Sequence, residues 1–232
     1  MSTTARGRGV WAVLALSCAL TAGCTGAPDQ MQSVGRHATI PGSLRVGMPR
    51  PGGIRGIARG VVEDRPVTAD AARARLVDQH NRPVTLAGLR GRIVVLAPLL
   101  ARCRGLGRIT TAQLHRVARM ARRAEVGDRV TVLQVSGDPA HDPPRRLRVQ
   151  ADRWGPLPNW LLATGRPDAV RALWRGVGTA PTTCHRAGRV IVVLLDVAGR
   201  VRWWTRGHPG SGGPGGWDTD LVDEAVAYTY DR

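Results

Sequence analysis

The stretch Ile93-Val-Val-Leu-Ala-Pro-Leu-Leu100, followed three residues later by Cys103, restricts this fold more than any other segment of the chain. A short, unbroken apolar run with β-branched residues is the pattern of a buried strand. Beyond it, Thr110 and Gln113 have the spacing of a capping box, and Leu114, Val117, Ala118 and Ala121 fall on one face. The spacing predicts a helix over about 110–125. Cys103 therefore lies between a buried strand and a helix N-terminus. The helix dipole and free N–H groups there favour the thiolate, which is both the nucleophile and the metal-ligating form.

The elements around this junction alternate. Ala74 to Asp78 and Pro83 to Leu86 read as a hairpin across the turn Gln79-His-Asn-Arg82. Arg129 to Val135 is a β-branched, mostly apolar strand, broken by Gly137-Asp-Pro-Ala-His-Asp-Pro-Pro144. A polar helix is predicted from Pro143 to Asp152, a short strand over Trp160 to Ala163, and a helix opening at Arg166-Pro-Asp168 and running through Trp174. Arg189 to Asp196 and Arg200 to Trp204 form a second hairpin around Val197-Ala-Gly199, and a Gly-rich loop at 209–216 precedes a last helix from Asp218 to Ala227. This order predicts an α/β fold with a central sheet covered by helices on both faces. Trp203 and Trp204 end the late hairpin, where one would face the core and the other would offer a docking surface at a sheet edge.

The first 24 residues read as a targeting segment. Arg6 and Arg8 precede a short apolar core, Val10 to Leu20, well short of the ~20 residues a spanning helix needs. Thr21-Ala-Gly-Cys24 resembles a bacterial lipobox, which would make Cys24 a lipidated mature N-terminus on the extracytoplasmic face of the cell membrane. Residues 25–58, rich in Gly, Pro, Ser and Arg, read as a flexible tether, and residues 59–232 as one folded domain. Cys18 leaves with the signal and Cys24 carries lipid, so Cys103 and Cys184 are the domain's two thiols. The net charge of +17 would by itself fit a nucleic-acid binder. All 34 basic residues are arginines, however, and they are scattered without an aromatic-interleaved stripe. The expectation is a solvated basic surface and no nucleic-acid partner. No Gly-x-Ser-x-Gly elbow and no phosphate-binding glycine loop is present.

Several segments, in order and at similar spacing from about Ala74 to Arg206, resemble the Sco/SenC family. They are Leu76-Val-Asp-Gln-His-Asn-Arg-Pro-Val-Thr-Leu86, Leu89-Arg-Gly, the strand into Cys103, Thr110-Thr-Ala-Gln-Leu, Val135-Ser-Gly-Asp-Pro, Trp160 to Trp174 and Val190 to Gly199. The resemblance implies a thioredoxin-like fold and a membrane-tethered protein that handles copper, as Cu(I), or thiols for a respiratory oxidase subunit. The family's copper site is Cys-x-x-x-Cys plus a distal histidine. Here Cys103 keeps the first place, but Gly107 stands at the second cysteine and Gly188 at the histidine. Restoring cysteine at 107 is expected to strengthen copper binding if the loop keeps the family geometry.

Cys184-His185, just before the late strand, is the candidate compensation. In such a fold its loop faces the Cys103 loop. Cys103, Cys184 and His185 would suit Cu(I), Cys103 and Cys184 would suit a disulfide, or neither pairing forms. Asp138 is either an ordinary turn residue before proline or a group that shapes the site from behind. His115, among arginines, is expected to be exposed, and His141 to lie in the loop with Asp138. Two further functional readings are a non-catalytic binding module and a single-cysteine reductase or peroxidase using Cys103. Peroxidases of this fold carry Pro and Thr before the cysteine, whereas Thr110-Thr111 here follow it.

Overall fold

All seven residues of the central strand are buried, because both of its faces are covered and both of its edges are paired. The computed structural model describes residues 60–180, 189–210 and 216–230. In chain order the strands are β1 (Val61–Pro66), β2 (Leu76–Asp78), β3 (Pro83–Val84), β4 (Ile93–Leu99), β5 (Val130–Ser136), β6 (Trp160–Gly165), β7 (Val190–Leu195), β8 (Arg200–Pro209) and β9 (Gly216–Trp217). The helices are α1 (Ala69–Ala72), α2 (Arg104–Arg123), α3 (Pro144–Trp154), α4 (Pro167–Gly176) and α5 (Thr219–Tyr230). The main sheet runs β1-β8-β7-β4-β5-β6-β2-β3, with β9 paired to β8. The pairs β4–β5 and β5–β6 are parallel, and β4–β7, β7–β8, β1–β8, β2–β6 and β2–β3 are antiparallel.

Strand alternation sorts the core into two layers. Ile93, Val95, Ala97 and Leu99 of β4 face α2, α3 and α5, together with Val192, Leu194 and Trp160. Val94 and Leu96 face the other way, onto Val170, Leu173 and Trp174 of α4. Helices thus cover both faces of a mixed sheet, as the alternating pattern predicts. Buried amides complete the strand ends. Gln79 donates to the Trp160 carbonyl and accepts from Leu162 N–H, and Gln134 Oε1 accepts from the Trp160 indole.

Three expectations are corrected. Helix α2 begins at Arg104, six residues before Thr110, so there is no capping box. Thr110 is fully buried inside the helix, and Gln113 Oε1 instead accepts from the Thr219 N–H and hydroxyl at the start of α5. His115 is buried rather than exposed. Its Nε2 bonds the Gly155 carbonyl at 2.9 Å, and its ring meets Trp160 edge-on at 4.8 Å, because the end of α3 folds over this part of α2. The tryptophan pair is not an open edge: β1 covers β8, Trp203 is in the core, and the Trp204 indole donates to Glu63.

Helix α5 brings one carboxylate into an apolar setting. Asp223 sits among Val222, Ala225 and Val226, which join the α2-side core. Burial, then the neighbouring Asp220 charge, raises its pKa to about 7 against an opposing pull from Arg116. A carboxyl raised above its unfolded value of 3.8 favours the folded state while protonated. That contribution is complete below the unfolded value and is lost as pH rises toward the folded one. Asp223→Asn should therefore raise the melting temperature at pH 8, by on the order of 1 kcal/mol of stability, and leave it nearly unchanged at pH 4. Thermal melts at the two pH values check this; equal effects at both would contradict it.

Candidate functional site

Cys103 is the N-cap residue of α2, in extended conformation and without a side-chain capping bond. Its N–H donates to the Leu100 carbonyl at 3.0 Å, closing the turn that leaves β4, and its own carbonyl accepts from Gly107 N–H at 2.9 Å. The first turn of the helix is thereby folded back against the strand end. A Cβ built on Gly107 would lie 2.1 Å from the Leu100 carbonyl oxygen. Backbone cannot move aside as a flexible side chain can, so position 107 admits only glycine in this arrangement. The family-geometry condition attached to a cysteine at 107 is not met. The glycines at 105 and 107 also explain the missed helix start, since both weaken helix propensity at the positions where the N-terminus has to be read.

The neighbouring loops converge on this turn. Gly137 N–H donates to the Leu99 carbonyl, so the chain leaves β5 beside the end of β4. Asp138 accepts from His141 Nδ1 at 2.8 Å and from Arg102 Nη1 at 3.2 Å, while its N–H donates to Ser136 Oγ. The His141 hydrogen bond, followed by the Arg102 contacts, holds the Asp138 carboxyl below the usual range despite some burial. Asp138 thus links its loop to the residue immediately before Cys103. Sequence reasoning missed the partner group behind it. Ser136 Oγ donates to the buried Asp142 at 2.6 Å, and burial pushes the Asp142 carboxyl upward against that bond. Asp142 lies in the same Pro-rich loop, but nothing in its spacing separates it from a solvated turn acid.

The third approach comes from β7. Its antiparallel pairing with β4 matches Val94 with Leu195 and Leu96 with Val193. Continued along both strands, that register sets Val190 opposite Leu99. The start of β7 therefore lies at the end of β4 from which the Cys103 turn leaves. Cys184, His185 and Gly188 precede β7 in the chain and lie outside the described residues, as does Cys24. Cys103 itself is disulfide-bonded, and the chain's other cysteines, Cys18, Cys24 and Cys184, all lie outside the described residues. Among the described residues no cluster of three or more His, Cys, Asp or Glu side chains has metal-binding geometry. The family's three-ligand arrangement does not fit here, because Gly107 has no donor and no room for one.

The SCO1/SenC family model matches residues 66–180. The chain belongs to the SCO1/SenC family. No curated protein sequence matches it. Solved structures of the family resemble it over most of the chain. BsSco, described as a member of the Sco family of cytochrome c oxidase assembly proteins with a disulfide switch, has a TM-score of 0.57 at 17% identity, covering 72% of this chain and 96% of its own. A SCO1/SenC family lipoprotein from Bacillus anthracis gives 0.52 at 16%, covering 74% and 96%. Yeast Sco1 gives 0.50 at 15%, covering 68% and 91%. Identities this low establish the fold, which is thioredoxin-like, and not the chemistry. Within this Sco/SenC domain the described part of the site departs from the family pattern at position 107.

Both Gly107→Ala and Gly107→Cys should destabilise the domain by roughly 1–3 kcal/mol, the usual cost of overpacking. Neither should gain Cu(I) affinity over the wild type. Denaturant unfolding and a competitive Cu(I) titration check the pair; a stable Gly107→Cys with tightened copper binding would contradict the packing argument.

Proposed function

We propose that this chain is an exported, membrane-tethered Sco/SenC protein that exchanges thiols, and takes Cu(I) when reduced, in the assembly of a respiratory oxidase. Cys103 and Cys184 form its redox pair. The observation that carries this reading is the disulfide at Cys103, at the N-cap of α2 beside the Asp138 loop. Cys184 is the partner this reading assigns. A lipidated Cys24 has its sulfur in a thioether, and Cys18 is removed with the signal. The described helices include none long and apolar enough to cross a membrane. This reading assigns attachment to the lipid on Cys24, from the lipobox-like Thr21-Ala-Gly-Cys24, and to the tether 25–58.

In the exchange, a client thiolate attacks one sulfur of the Cys103–Cys184 bond and the other leaves as a thiolate. A second client thiolate then attacks the mixed disulfide. The client is oxidised by two electrons and the pair becomes a dithiol. The reduced pair and the His185 imidazole provide the soft, low-coordinate donor set that Cu(I) prefers, with copper as cargo. The disulfide switch described for BsSco is consistent with this use of two cysteines. The packing of Gly107 against Leu100 favours a second reading, a scaffold of the same fold that binds no copper.

A Cu(I) titration of the chain before and after reduction separates the two. The redox reading predicts binding of one Cu(I) only in the reduced protein. Cys103→Ser and Cys184→Ser should each weaken it by at least about a thousandfold, His185→Ala by about tenfold, and the two cysteine effects should be strongly non-additive. Equal Cu(I) binding by the oxidised and reduced protein, or none by either, would leave the scaffold reading. Separately, Cys24→Ala should abolish lipid labelling and release the protein from membranes; unchanged retention would contradict the anchor.

A further inference from the structure

Arginines far apart in sequence meet across one cleft. Arg102 precedes α2 and Arg108 is in its second turn, while Arg145, Arg146 and Arg153 come from α3, and a cleft of about 1020 Å³ opens between them. Arg145, Val149 and Arg153 are four residues apart, which aligns them in one stripe along the helix. Two of the five guanidinium groups are engaged locally, Arg102 by Asp138 and Arg146 by the His141 carbonyl. Arg108, Arg145 and Arg153 have no carboxylate partner among the described residues. The lining is also apolar in part: Val149 is 51% exposed and Trp154 is half-buried. Such a cleft focuses positive potential onto a surface with an apolar floor.

We propose that this cleft binds an acidic segment of a client protein, with carboxylates pairing Arg108, Arg145 and Arg153 and an apolar side chain over Val149 and Trp154. Planar guanidinium forks pair carboxylates bidentately, which gives both orientation and attraction. Three cations without a carboxylate partner among the described residues, carried on two helices, exceed the span of one small anion. Ala101 and Arg102 belong to the cleft wall, so a segment seated there runs past the Cys103 turn. The consequence for thiol exchange rests on the function proposed above; the binding itself does not.

The test uses the full chain in detergent and a labelled ten-residue glutamate peptide with one central tryptophan. It should bind at least tenfold more tightly than its glutamine counterpart. Arg145→Gln with Arg153→Gln should remove at least tenfold of that affinity and flatten its salt dependence, and Arg145→Lys with Arg153→Lys should restore part of it. Equal binding of the two peptides, or a double variant without effect, would overturn the proposal. Vesicles of phosphatidylglycerol form the competing arm. A double variant that loses vesicle binding but keeps peptide binding would make the cleft a membrane contact and overturn it likewise. A cysteine-bearing version of the acidic peptide should form a mixed disulfide faster than its neutral counterpart, and lose that advantage in the double variant. Acidic-peptide binding without any mixed disulfide at Cys103 would support the cleft and contradict the thiol function instead.

Discussion

The approach of Gly107 to the Leu100 carbonyl oxygen fixes the arrangement of everything around it. A helix that begins directly under the end of a buried strand has its first turn pressed against strand backbone, and only a residue without Cβ fits there. Because that contact holds, α2 starts at Arg104, Cys103 becomes its N-cap, and the turn between them is closed by the Cys103 N–H bond to Leu100. The position of the thiol follows from backbone packing. The family ligand at 107 and this packing exclude each other, so the departure at 107 is built into the local fold.

The strands were legible because their signal is local. The runs at 93–100, 129–135 and 189–196 are apolar and β-branched, and each is a buried strand at about its expected place. The helices at Pro143 and Arg166 were legible for the same reason, since proline near the start marks a helix N-terminus. What escaped depends on contacts between distant segments. The start of α2 is set by packing onto β4, while Thr110 and Gln113 imitate a cap that a buried helix interior does not need. His115 looks polar among arginines, and only the α3 turn at Gly155 shows that it is enclosed. Strand β1, two valines followed by Glu63, Asp64, Arg65 and Pro66, has no apolar alternation to mark it, yet it pairs along β8 and its Glu63 accepts from the Trp204 indole.

The candidate site divides in the same way. Cys103 was readable from its junction, and Asp138 from its loop. The link from Asp138 through Arg102 to the Cys103 turn joins residues 36 apart. The arginines spread along the sequence suggested a uniformly solvated basic surface. Folding instead gathers five of them on one cleft beside the thiol, with three left unpaired among the described residues. Charge that carries no information as composition acquires it through placement, because potential in a concave site reaches further than on an open face.

The account stands on the identity of the Cys103 partner. The direct measurement is non-reducing peptide mapping of the protein taken from membranes with free thiols blocked at lysis. The account predicts one cross-linked species joining the peptides of Cys103 and Cys184, which mild reduction resolves into two alkylatable thiols. Cys103 recovered as a blocked free thiol, or joined to a cysteine other than Cys184, would contradict it.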